Sequence, residues 1–150
     1  MTPAPRSFED FAVGLRFKSS GDIVVTAERI TSFAAEFDPQ GFHLTDDEAR
    51  ASLFGGLVAS GWHTAALTMR LLVQGGVPIA GGMVGAGGEI KWPKPTRPGD
   101  TLRVHCEIVE ITASRSRPDR GIVTTRIETR NQHGDIVQVF VGKLMVPRRT

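Results

Sequence analysis

The stretch FGGLVASGWHTAALTMRLLVQGG, residues 54–76, holds the helix around which we expect the fold to be built. Its glycines bracket a mostly apolar segment at about residues 60–74. The apolar residues of that segment cover more than one helical face, which predicts a helix buried nearly all round. Ser60 can cap its start, and Gly75 with Gly76 can end it. The rest of the chain should therefore enclose one central helix.

The residues after this helix have the pattern of β-structure. The segment TLRVHCEIVEITA, residues 101–113, alternates between apolar and polar side chains, which predicts a strand with one buried face. GIVTTRIETRN and IVQVFVGKLMVP flank the turn QHGD and predict a hairpin. MVGAGGEIKW, residues 83–92, is extended and glycine-rich, so it can bend around the helix or let a ligand approach closely. PKPTRPGD, residues 93–100, is a loop.

The residues before the central helix contain shorter elements. LRFKSSGDIVVT predicts one or two short strands around a turn, and residues 27–37 have the spacing of an amphipathic helix with Thr26 as its cap. The following loop carries Asp38 and His43, and Thr45 caps a second short helix. Helices cluster early and strands late, so we expect an α+β fold in which an antiparallel sheet wraps around the central helix. An unpaired sheet edge then favours a homodimer or a higher homo-oligomer.

Length and composition limit the class of protein. The 150 residues fit one domain, 1–150, with residues 1–7 frayed. The net charge of +2 is small, the arginines are scattered and tyrosine is absent, so no nucleic-acid partner is expected. No apolar run approaches the roughly 20 residues that span a bilayer, so no membrane partner is expected. The single cysteine, Cys106, cannot form an internal disulfide, and we expect a cytoplasmic protein.

Three segments together indicate a family. FDPQGFH, ASGWHTAALTMRLL and WPKPTRPGDTL resemble, in order, the signature segments of the MaoC-like dehydratases, the R-specific enoyl-CoA hydratases of the hotdog fold. The resemblance runs from about Phe33 to Val109. This chain has Gln40 and Gly41 where the family pattern has Asn and Pro, and Ser60 where the pattern has His before Gly61. No serine lies near Met69 and Arg70, where some members carry a hydroxyl, so the sequence identifies no side chain that supports Asp38.

The resemblance implies a reaction and a site. The substrate would be an enoyl thioester carried by CoA or an acyl carrier protein, and syn addition of water would give an R-3-hydroxyacyl thioester. Asp38 and His43 would form the acid–base pair, each accepting a hydrogen from one water. Gly61, at the start of the central helix, would offer its N–H to the thioester oxygen. No cofactor is expected, and no Cys/His cluster has zinc spacing.

Simpler interpretations of the same residues stay open. Asp38 fits a turn, His43 fits a surface loop, and Gly61 fits plain packing at a helix start. His63 is interpreted as a hydrogen-bonded core histidine and Cys106 as inert core. A hotdog thioesterase, whose carboxylate activates water against the thioester carbonyl, is a second candidate function. A non-catalytic acyl-CoA-binding module is a third.

Overall fold

The structure is a computed structural model that describes residues 4–149. It contains six strands and four α-helices. The strands are β1 (Arg16–Lys18), β2 (Ile23–Val24), β3 (Val84–Lys91), β4 (Thr101–Ala113), β5 (Arg120–Arg130) and β6 (Ile136–Pro147). The helices are α1 (Ala27–Phe37), α2 (Gly41–Leu44), α3 (Asp46–Arg50) and α4 (Gly61–Leu71). The predicted bounds of α1 and the hairpin of β5 and β6 are confirmed.

The strands form one antiparallel sheet in the order β1-β4-β5-β6-β3, with β2 paired to the end of β4. The alternation predicted for β4 is confirmed. Four side chains of that strand are buried in the core: Leu102, Val104, Cys106 and Ile108. The glycine-rich strand β3 pairs only with β6 and has a bulge between Gly85 and Gly87, so the predicted bend lies at the edge of the sheet.

Helix α4 packs on one face of this sheet, where Leu67 and Leu71 join the core formed by β4, β5 and β6. An antiparallel sheet wrapped around one helix is the arrangement of the hotdog fold, so the predicted α+β class is confirmed. The prediction that α4 is buried nearly all round is wrong. Its opposite side exposes Trp62 and Met69, because one sheet covers only one side of a helix. The α-helix ends at Leu71, and a π-helical turn continues to Gly76.

Two local predictions need correction. The segment around His43 is not a plain loop, since residues 41–44 form the short helix α2, which begins after Gln40. A Cβ at Gly41 would meet the end of the Glu48 side chain, which is exposed and can turn away. Fraying was expected for residues 1–7. Residues 1–3 lie outside the described part, but Arg6 exchanges backbone hydrogen bonds with Pro78 and Ala80 and is held in place.

Candidate active site

Asp38 ends helix α1, and its carboxylate is held from two sides. The Ser60 hydroxyl donates to Oδ2 at 2.7 Å, and the Gln40 side-chain amide donates to Oδ1 at 2.6 Å. Partial burial alone would raise the pKa of Asp38. The hydrogen bonds from Ser60 and Gln40 and the nearby His43 outweigh burial, so the pKa lies below its ordinary value. Asp38 is therefore held as a carboxylate at neutral pH.

His43 lies on α2 with its imidazole almost fully buried. Its Nδ1 lies 2.7 Å from the carbonyl oxygen of Val58. A carbonyl can only accept, so this contact assigns the hydrogen to Nδ1 and leaves Nε2 as the nitrogen that gains or loses a proton. Nε2 lies 3.3 Å from Oδ2 of Asp38. The carboxylate and the open imidazole nitrogen thus face each other.

Gly61 is the first residue of α4, directly after the capping residue Ser60. The Ser60 hydroxyl accepts from the backbone N–H of Trp62 at 3.2 Å while it donates to Asp38. Within residues 4–149, the backbone N–H of Gly61 has no hydrogen-bond acceptor. A Cβ at Gly61 would lie 2.6 Å from the nearest atom of the Trp92 indole, so only glycine fits beneath this ring. Close packing and a free amide therefore occur at the same residue.

Asp38, His43 and Gly61 all line one cavity of about 470 Å³, a volume that fits a small ligand. Its other walls come mainly from aromatic and apolar residues and from the loop that follows β3. They include Phe42, Phe54, Ala59, Trp62, Trp92, Pro93, Pro95 and Val137. The structure thus brings the three predicted site residues together, although Gly61 lies 18 positions beyond His43 in the chain.

The two side chains that support Asp38 are not among the predicted site residues. Ser60 is predicted as a helix cap, and both Ser60 and Gln40 are departures from the family pattern. Gln40 lies two positions from Asp38 and could have been found as a local partner. Ser60 lies 22 positions away, so its contact with Asp38 depends on how α1 packs against α4.

The other candidate groups lie outside this cavity. His63 is buried and stacks on Phe33, which confirms a core histidine, but its Nδ1 lacks the expected hydrogen bond within the described part of the chain. Burial, with a smaller contribution from Arg29, lowers the pKa of His63. Cys106 is buried, and burial raises the pKa of its thiol to about 12, which agrees with an inert core residue.

Residues 4–149 contain neither a candidate metal site nor a membrane-spanning helix. No group of three or more His, Cys, Asp or Glu side chains could hold a metal ion. None of the helices in that range is long and apolar enough to cross a membrane.

Comparison with known proteins identifies the family. The family model described as MaoC like domain matches residues 10–131, which is most of the chain. The chain belongs to the MaoC-like family. The resemblance drawn from the three sequence segments is therefore confirmed, and the matched range extends beyond those segments at both ends.

This MaoC-like protein is similar to several known proteins over nearly its whole length. It is 33% identical to the Bacillus subtilis (strain 168) protein YdeM, covering 92% of this chain and 95% of that one. It is 56% identical to the MaoC-like dehydratase from Rhodospirillum rubrum, with a TM-score of 0.94 over 97% of this chain and 99% of that chain. R-hydratase PhaJ1 from Pseudomonas aeruginosa is 23% identical and shares the fold, with a TM-score of 0.73 over 95% and 86% of the two chains. Family and fold together support a hydratase or dehydratase.

Proposed function

We propose that the protein interconverts an enoyl thioester and a 3-hydroxyacyl thioester, with CoA as the carrier. The observation that carries the proposal is the pair of acceptors at the cavity wall. Asp38 Oδ2 and His43 Nε2 lie 3.3 Å apart, and Nδ1 of His43 is already occupied by Val58. When the imidazole is neutral, with its hydrogen on Nδ1, both atoms are acceptors and each needs a hydrogen-bond donor. A water molecule in the cavity can donate one hydrogen to each group.

The proposed hydration uses that water for both halves of the addition. The water oxygen bonds to the β-carbon of the substrate while one group of the Asp38 and His43 pair takes a proton from the water. The other group accepts a hydrogen bond from the hydrogen that stays on the new hydroxyl. The proton that was taken passes to the α-carbon, and the double bond is lost. The oxygen and the hydrogen add to the same face of the double bond, so the addition is syn. The R configuration of the product is what the family resemblance implies. Dehydration is the same path in reverse. A positioned acid–base pair of this kind contributes about 10²–10⁴-fold to the rate.

Negative charge develops on the thioester oxygen during addition, and we assign its stabilisation to Gly61. The free N–H of Gly61 points from the N-terminus of α4, where the helix dipole is positive. The Trp92 ring over this residue limits the water that can compete for the amide. One donor of this type lowers the activation free energy by about 3–4 kcal/mol.

We propose that the active form is a homodimer. In the single chain, β3 has a free edge at one end of the sheet. Large apolar side chains on α4, on the turn after it and at the start of β3 are also exposed. These are Trp62, Met69, Val73 and Val84, which we call the exposed apolar patch. A second copy would cover both the strand edge and this patch.

The direct test of the function is hydration of a short-chain enoyl-CoA by the purified protein, followed as loss of the conjugated enoyl absorbance. Free CoA thiol is measured in parallel, because a thioesterase would release it and a hydratase leaves the thioester intact. Absence of hydration across a series of acyl lengths would contradict the proposal. Binding without turnover would instead support an acyl-CoA-binding module.

The first prediction concerns Asp38→Asn. The amide keeps the size of the side chain but removes the negative charge and one acceptor. We expect the hydration rate to fall by about 10²–10⁴-fold. The protein should stay folded but lose some stability at neutral pH, because the charge of Asp38 favours the folded state. The matched control is Asp47→Asn, which changes an exposed carboxylate outside the cavity and should keep full activity. Comparable activity in the two variants would refute the role of Asp38.

A further inference from the structure

The buried end of the cavity carries a feature that the proposed reaction does not use. Gln40, Trp62 and Lys94 line the cavity but are exposed, so they mark its rim. Besides His43, four lining residues are buried, and they form what we call the floor. These are Ala59, Thr64, Thr96 and Val137. For a thioester that lies at Gly61, the floor is the buried space open to the acyl group.

The floor is not purely apolar. The Thr64 hydroxyl donates to the Thr96 hydroxyl at 3.0 Å, and both residues are almost fully buried. A threonine hydroxyl has one donor and two acceptor positions. The Thr96 hydroxyl accepts from Thr64, and within residues 4–149 this is its one side-chain hydrogen bond. A donor therefore remains available to a ligand in the cavity.

The distance from Gly61 indicates a short acyl group. Thr64 lies three positions after Gly61 on α4, which corresponds to a rise of about 4.5 Å along the helix. The hydroxyl pair thus lies within one helical turn of the amide to which we assign the thioester oxygen. Val137 is fully buried and limits the space beyond this point.

The charges around the cavity restrict the ligand further. The floor has no charged side chain among its four members, and Lys94 at the rim pairs with Asp135 at 3.2 Å. A carboxylate at the floor would lack a counter-ion, and burial of an unpaired charge is strongly unfavourable. A plain alkyl chain would leave the Thr96 hydrogen without an acceptor. A neutral oxygen satisfies both conditions.

We propose that Thr64 and Thr96 form a specificity site for a short acyl thioester that carries a neutral oxygen, as an ether, hydroxyl or keto group, a few carbons beyond the thioester. This inference rests on the proposed function for the orientation of the thioester at Gly61. The hydroxyl pair selects the substrate, and it takes no part in proton transfer.

The test measures binding of saturated acyl-CoAs by calorimetry, so that it does not depend on turnover. Each ether is compared with the alkyl chain in which a methylene replaces its oxygen: 3-methoxypropanoyl with pentanoyl, 4-methoxybutanoyl with hexanoyl, and 5-methoxypentanoyl with heptanoyl. At one oxygen position we expect the ether to bind the wild type about tenfold more tightly than its alkyl partner, since leaving a buried donor unpaired costs this much or more.

The variant Thr96→Val keeps the side-chain shape and should abolish or reverse that preference. Thr64→Val leaves the Thr96 donor in place and should reduce the preference less. The matched control is Thr125→Val, a buried threonine on β5 that does not line the cavity and whose hydroxyl has no partner in the described residues. It should keep the wild-type preference. Equal or tighter alkyl binding at every position, an unchanged preference in Thr96→Val, or no binding at all would overturn the inference. A clear ether preference in a protein that hydrates no enoyl-CoA would overturn only the proposed function.

Discussion

The ionisation of Asp38 depends on two neighbouring side chains, and Ser60 is the more informative of them. The Ser60 hydroxyl accepts from the backbone of α4 and donates to the Asp38 carboxylate. Partial burial opposes the charged form of Asp38, while the two hydrogen bonds and His43 favour it. A single hydroxyl therefore links the start of the central helix to the charge of the proposed base.

The second prediction concerns Ser60→Ala. Burial raises the pKa of Asp38, and the hydrogen bond from Ser60 lowers it. Without that hydrogen bond, the pKa of Asp38 should rise above its value in the wild type. A carbon-detected NMR titration of the carboxylate measures this change directly. The control is Thr26→Ala, which removes the cap of α1 at the end away from Asp38. An unchanged pKa of Asp38 in Ser60→Ala would contradict the explanation.

The stability of these two variants should differ with pH. Removal of either cap costs about 0.5–2 kcal/mol of unfolding free energy. Since the pKa of Asp38 is lowered in the folded state, its charge stabilises the fold above the unfolded-state pKa, and this contribution is lost as pH falls through the folded-state pKa. Ser60→Ala should therefore be less stable than Thr26→Ala at pH 7. The difference in unfolding free energy between the two variants should become smaller when acid protonates Asp38. Chemical denaturation at several pH values measures this difference.

At the scale of the element, the start of α4 is shaped by the loop after β3. The Trp92 indole nitrogen donates to the side chain of Gln138 at 3.0 Å, and Gln138 is buried and donates to Thr68 of α4. These hydrogen bonds hold the indole against Gly61. The wall of the cavity and the N-terminus of the helix are thus one connected unit.

The third prediction tests this unit with Gly61→Ala. The added Cβ would lie 2.6 Å from the Trp92 ring, so the ring must move or the helix must shift. Such overpacking costs about 1–3 kcal/mol of stability. We expect lower stability, altered tryptophan fluorescence and reduced hydration. Gly21→Ala is the control, because nothing lies within 4 Å of a Cβ at that position. Full activity of Gly61→Ala would argue against a close approach of the thioester oxygen to this amide.

At the scale of the whole molecule, the sheet covers one side of α4 and leaves the exposed apolar patch uncovered. Met69 and Trp62 are 46% and 60% exposed, values that are high for large apolar side chains on the central helix. The free edge of β3 lies at the end of the same sheet. Both features are explained if two copies associate.

The fourth prediction concerns Met69→Lys. Light scattering coupled to size exclusion should show the wild type as a dimer, and the buried charge should shift the variant toward monomer. Lysine is tolerated near a helix C-terminus, so α4 itself should remain folded. The control is Val109→Lys, which places the same charge at an exposed apolar residue of β4. A wild type that is monomeric and fully active at micromolar concentration would contradict the dimer.

Periodicity, caps and turns are local, and the sequence predicts them well here. The bounds of α1, the caps Thr26 and Thr45, and the alternation of β4 depend on residues within about four positions. The short helix α2 was missed because four residues with a glycine carry no periodic pattern. The resemblance of three segments to the MaoC-like family predicted Asp38, His43 and Gly61 as parts of one site.

What the sequence by itself determined is the order and type of the main elements, the α+β class and the set of candidate site residues. Only the tertiary structure decided that Ser60 holds Asp38 and that Thr64 meets Thr96 across 32 positions. It also decided which side of α4 stays uncovered. The physical reason is that a local hydrophobic pattern indicates which face of an element must be buried. Which other element covers that face depends on packing between distant parts of the chain.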